Sequence, residues 1–160
     1  MNDAIIFRDG PLGVRDNRNK GPQNMANRWL FKEEPTHYSF SQFRGDGKTV
    51  WEGVKNPLAQ KYLRQIRKGD HVFYYHTGKE KAVVGIARAS SDAYPDPKKK
   101  DGKTVVVDLE PIRALPQPVT LASIKARAQF KDFALVRLPR LSVMPVTDGQ
   151  WKEIESMAKK

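Results

Sequence analysis

After Gly69 and Asp70, three apolar segments of strand length, residues 71–76, 82–89 and 104–112, follow one another with no helical periodicity between them. Parallel neighbours need a long crossover, commonly a helix, whereas antiparallel neighbours need only a turn. Gly78 and the Pro- and Lys-rich loop 94–102 supply the turns, so this run predicts an antiparallel meander. A further segment at 140–143, ended by Pro145, adds another strand, and residues 29–32 form a short apolar strand stopped by Pro35.

Helices flank this run. Ser39 and Gln42 have the spacing of a capping box and predict one helical turn after Tyr38. Asn56 followed by Pro57 marks a second start, after which Ala59, Tyr62, Leu63 and Ile66 repeat at helical spacing, with Lys61, Arg64 and Lys68 on another face and Gly69 as the stop. Thr147 and Gln150 open a last helix whose Trp151 and Ile154 face a core. Together these elements predict an α+β fold: a small, strongly bent sheet or barrel of about five to six mostly antiparallel strands with flanking helices.

With 160 residues, 39% of them hydrophobic, the chain can bury one ordinary core, which predicts one domain over residues 25–160. Residues 1–24 are rich in Gly, Pro, Asn and Arg and lack periodicity, so composition predicts a disordered extension, with Met25 as a candidate true start. The longest apolar run there, residues 4–7, is too short for a signal peptide or a membrane span. The expectation is an intracellular protein that binds no membrane, cytoplasmic in a bacterium and nuclear in a eukaryote. A monomer is favoured.

The net charge is +11, and since residues 1–24 carry four basic and three acidic side chains, ten of those charges belong to the remainder. Such a field draws polyanions. There is no cysteine, which excludes disulfides, thiolate nucleophiles and Cys-based zinc sites. His37, His71 and His76 lack metal-helix spacing, and neither a nucleophile elbow nor a phosphate loop is present. Glu33 and Glu34 are adjacent, so on a strand they point to opposite faces and do not share a substrate. Catalysis is therefore disfavoured, and neither cofactor nor metal is expected.

Four segments, residues 29–35 with Tyr38 and Ser39, 51–56, 69–76, and 84–87 with 93–96, continued by 140–143 and 145–147, resemble the EVE domain family in order and spacing. The resemblance implies a PUA-like β-barrel, related to YTH and ASCH domains, with a pocket suited to one flipped base. Implied readers of that base are the rings of Trp51, Tyr38, Tyr75 and Tyr94 and the polar groups of Glu34, Asn56, His76, Thr77 and Ser142. Lys55, Lys61, Arg64, Lys98, Lys99 and Lys100 are the candidate contacts to a nucleic-acid backbone. Where the family usually has Asp-Gly-Val-Arg-Asn, this chain has Glu52-Gly53-Val54-Lys55-Asn56, which keeps the charge and loses the planar guanidinium. Glu33 stands where a small hydroxyl residue is common, and Thr77 where Ser is frequent.

The same residues have plainer roles. Trp51 suits a core, Asn56 a helix cap and His76 a satisfied structural position. Tyr74 and Tyr75 must face opposite sides of their strand, and Tyr75 is the one assigned to the pocket. The reading is a non-catalytic module that holds a single, modified base in DNA or RNA. Its alternatives are an enzyme of nucleobase or RNA modification, or a small-molecule-binding regulator using the same pocket.

Overall fold

The structure, a computed structural model, describes residues 27–159. The disordered extension expected for residues 1–24, and Met25, lie outside the described residues.

The elements run β1 Arg28–Glu33, α1 Pro35–Tyr38, α2 Phe40–Asp46, β2 Thr49–Trp51, α3 Pro57–Leu63, β3 His71–His76, β4 Ala82–Ala89, β5 Tyr94–Pro95, β6 Val105–Thr120, α4 Leu121–Lys125, a 3-10 turn Ala128–Phe130, α5 Ala134–Arg137, β7 Val143–Pro145 and α6 Asp148–Met157. The strands make one curled sheet in the order β2-β6-β4-β3-β1-β7, with the two-residue β5 added on β6. This is a PUA-like half-barrel. All pairings are antiparallel except β1 with β3, which lie parallel with Phe31 opposite Tyr74 and Glu33 opposite His76.

The three caps expected from the sequence form. Ser39 Oγ accepts from the Gln42 N–H, Asn56 Oδ1 from Ala59 N–H, and Thr147 and Gln150 bond reciprocally as a capping box. The second of these helices stops at Leu63, and turns carry the chain to Gly69, where φ is +96°. α2 extends past the expected single turn to seven residues.

β6 is longer than its apolar segment because it is two ladders joined by an irregular stretch. Its register against β4 slips between Arg113 and Pro111, where Ile112 is the extra residue, and again between Ala114 and Val119. Pro116 and Pro118 fall in the second slip, where no ladder donor is required. The first bulge explains why Ile112 is among the few exposed large apolar side chains.

Strand alternation divides β1 and β3 into two faces. One carries Phe31 and Tyr74, against which Trp51, Phe40 and Phe43 pack with ring centroids 5.3–5.9 Å apart. The other carries Phe73, stacked on Trp151 of α6 at 3.6 Å. Trp29 and Trp151 are both buried, as their place in apolar periodicity implies. Gly85 allows α2 to close on the sheet: a Cβ there would stand 2.4–2.6 Å from the Phe40 ring. Among the described residues, no helix is long and apolar enough to cross a membrane.

Candidate functional site

β2 ends at Trp51 and β1 ends at Glu33, on the same side of the sheet. Pro35 starts α1 directly after β1, which swings His37 and Tyr38 over that corner. The result is a cleft of about 210 Å³ lined by Glu33, His37, Tyr38, Thr49, Val50, Trp51 and Glu52. A cavity of about 150 Å³ takes up benzene, while drug-sized ligands need roughly 300–1,000 Å³, so the volume suits one single-ring heterocycle.

The walls are aromatic and acidic. Tyr38 is half-buried and donates its hydroxyl to Asp46 at 2.7 Å. Burial, followed by that carboxylate, raises its phenol above the ordinary value. Glu33 meets the ring of His37 at 2.6 Å, and Glu52 meets Lys98 at 3.2 Å. Trp51 is only 6% exposed, because Phe31 and Tyr74 cover its rings. The indole is thus a floor to the cleft and a member of the core at once, and the exposed stacking platform expected of it is not what the fold builds.

The structure brings Trp51 and Tyr38 together and sets the other sequence-derived candidates elsewhere. Tyr75 lies on the opposite face, 3% exposed, with the Lys32 ammonium over its ring at 5.7 Å. Tyr74 is the member of the pair on the Trp51 side, which reverses the assignment made from the sequence: parallel register puts Phe31 beside Tyr74. Burial pushes the Tyr74 phenol well above the usual range and the Tyr75 phenol up to about 12.

His76 is buried. Its Nε2 accepts from the Phe40 N–H at 3.0 Å and its Nδ1 meets Glu80, so it pins the start of α2 to the end of β3. Thr77 donates its hydroxyl to Glu34 at 3.2 Å, and the Glu34 carboxylate lies against Gly78, whose φ of +77° makes the turn. Glu33 and Glu34 thereby diverge, as adjacent strand residues do. Tyr94 donates to Asp108 at 2.6 Å, a bond that holds its phenol up near 12, with burial second. The Ser142 carbonyl accepts from the Lys32 N–H, closing β1 onto the segment before β7.

Asn56 caps α3 and also lines a second hollow of about 330 Å³ with Leu58, Leu138, Pro139 and two guanidinium side chains, Arg137 and Arg140. Those two arginines and Thr49 were not singled out by sequence, and Glu33 and His37, though noted there, were not among its binding candidates. Arg140 stands in a segment that carried the family resemblance, but nothing local shows that a loop over a hundred residues beyond β1 returns to it.

Helix α3, which carries Lys61, and Arg64 at its C-cap are held to the segment that follows the lysines at 98–100. Gln60 of α3 donates to the carbonyls of Val54 and Val105 and accepts from the Val105 N–H. Arg64 donates to the Lys103 carbonyl at 2.9 Å. These bonds set exposed Lys61 and Arg64 beside the basic loop that carries Lys98, Lys99 and Lys100, and the Lys98–Glu52 pair ties that loop to the rim of the cleft.

A family model described as EVE domain matches residues 27–157. Human thymocyte nuclear protein 1 is 26% identical over 172 residues, covering 86% of this chain and 76% of that protein. A protein from Rhodopseudomonas palustris, solved by NMR, superposes with a TM-score of 0.80 at 41% identity, covering 84% of this chain and 94% of its own. Human THYN1, crystallised in complex with DNA containing 5-methylcytosine, gives a TM-score of 0.78 at 26% identity, covering 84% of this chain and 99% of that one.

Proposed function

The chain belongs to the EVE domain family, and from that premise we propose that it is a non-catalytic nucleic-acid-binding module that holds one unstacked, modified base in the cleft beside Tyr38 and Trp51. The observation that carries this reading is a cleft with room for one ring at the foot of a basic ridge, bound to it through Lys98 and Glu52. The human relative, crystallised with 5-methylcytosine-containing DNA, supports the ligand class.

Unstacking a base costs a few kcal/mol, and stacking on one aromatic ring returns about 1–3 kcal/mol. Tyr38 supplies that ring, Trp51 the floor, and the remaining free energy comes from polar contacts to the base edge and from phosphates. Lys55, Lys61, Arg64 and the lysines at 98–100 offer cations along one path, and Arg137 and Arg140 offer two more beside Asn56.

Fluorescence anisotropy with an oligonucleotide bearing one 5-methylcytosine tests the reading. Tyr38→Ala is expected to weaken binding at least tenfold while the thermal midpoint falls by no more than several degrees, because the ring is half-buried and bonded at an exposed carboxylate. Unchanged affinity in that variant would remove the cleft from the binding path.

A further inference from the structure

We propose that Glu33 is the residue by which the cleft tells one pyrimidine from another, and that it accepts from the exocyclic amine of a 4-aminopyrimidine while rejecting the 4-oxo counterpart. This rests on the reading of the cleft as a base site.

Two carboxylates face the cleft, Glu33 partnered by the His37 ring and Glu52 by the Lys98 ammonium, and the partners are the looser members. The His37 side chain is 79% exposed against 22% for Glu33, and Lys98 is 73% exposed against 45% for Glu52. The groups held in place are thus acidic, and of the two Glu33 is the better fixed. Its backbone sits in the parallel ladder opposite His76, and its carbonyl accepts from the Thr77 N–H at 3.0 Å. Its strand face is that of Phe31, which packs on Trp51.

The His37 ring occupies Oε2, and Oε1 has no hydrogen-bond partner among the described residues. An ionised carboxylate offers about four acceptor sites and no donor. A cytosine-type edge presents an amino donor at position 4, whereas a uracil-type edge presents a carbonyl acceptor there. At position 4 Glu33 can accept from the first and is repelled by the second; accepting from the N3–H of the oxo base instead would require the ring to shift in the cleft. A 5-methyl group contributes about 10- to 200-fold through pocket contact, but 5-methylcytosine and thymine both carry it, so the methyl group cannot separate that pair. The amine can.

The test uses four single-stranded oligonucleotides identical except for one residue: cytosine, 5-methylcytosine, uracil or thymine. Anisotropy titrations on the full chain are expected to favour each amino base over its oxo partner by at least tenfold. Glu33→Gln, which keeps the shape and can donate to O4, is expected to reduce that ratio below threefold, and Glu33→Ala to do the same by removing the acceptor. Thermal melts verify that both variants fold. Equal binding of 5-methylcytosine and thymine by the unaltered protein would overturn the role of Glu33 and leave the base site standing. So would a preference that survives both substitutions. Binding that ignores the varied residue entirely, and is indifferent to Tyr38→Ala, would bring down the base site and the inference together.

Discussion

Trp51 shows how one side chain can serve two ends. Its place in segment 51–56, which carries the family resemblance, made it legible as an aromatic of consequence, but its covering by Phe31 and Tyr74 depends on two strands separate in sequence. Burial on that scale gives a firm expectation: Trp51→Ala should cost about 3–5 kcal/mol in urea unfolding, the range for emptying a large core site. A loss under about 1 kcal/mol would place the indole outside the core. His71 yields a second expectation. Burial is the first cause holding its imidazole below the ordinary 6.5, followed by Arg28 of β1 and Arg88 of β4, while Asp70 and Glu155 pull the other way. Because the unfolded chain takes up the proton first, this contribution is intact above about pH 6.5 and is lost as pH falls below it. The drop in thermal midpoint between pH 7.5 and 5.5 should therefore be smaller in His71→Gln than in the unaltered protein.

Elements were legible where their cause is local. The caps at Ser39, Asn56 and Thr147 need only a side chain and an N–H three residues on, and all three are formed. The meander of β3, β4 and β6 was legible for the same reason, since turns between adjacent strands leave a mark in the sequence. The parallel pairing of β1 with β3, and the short strand β2, left none: each is decided by partners dozens of residues away. That Tyr74 and not Tyr75 shares the face of Trp51 was hidden in the same way, as the face of a strand follows from its neighbour's register. The irregular half of β6 lies beyond the segment 104–112 expected from the sequence, and its Pro116 and Pro118 occupy a slip in the ladder. Packing between elements is close enough to be probed at Gly85. Gly85→Ala sets a methyl within 2.6 Å of the Phe40 ring and should destabilise by about 1–3 kcal/mol. Phe40→Leu in the same chain should recover part of the loss, read as a non-additive double-mutant cycle.

At the scale of the whole molecule, charge decides how a polyanion approaches. The sequence already placed the basic excess outside residues 1–24, and Gln60 and Arg64 gather part of it into one ridge. If single-stranded nucleic acid lies along that ridge, log affinity falls with log salt by about 0.7 per phosphate contacted. Removing Lys61, Arg64 and Lys99 together should flatten the slope by about 2, measured by titration at several salt concentrations; an unchanged slope would move the path elsewhere. The sheet order carries a different consequence. β1, at Arg28–Glu33, sits between β3 and β7, so its two neighbours are residues 71–76 and 143–145. A ribosome adding about 5–20 residues per second delivers the second neighbour roughly 6–20 s after the first strand has emerged. During that interval one edge of a strand rich in large apolar groups is left open on the nascent polypeptide, which makes this strand the segment a trigger-type chaperone would be most needed to shield.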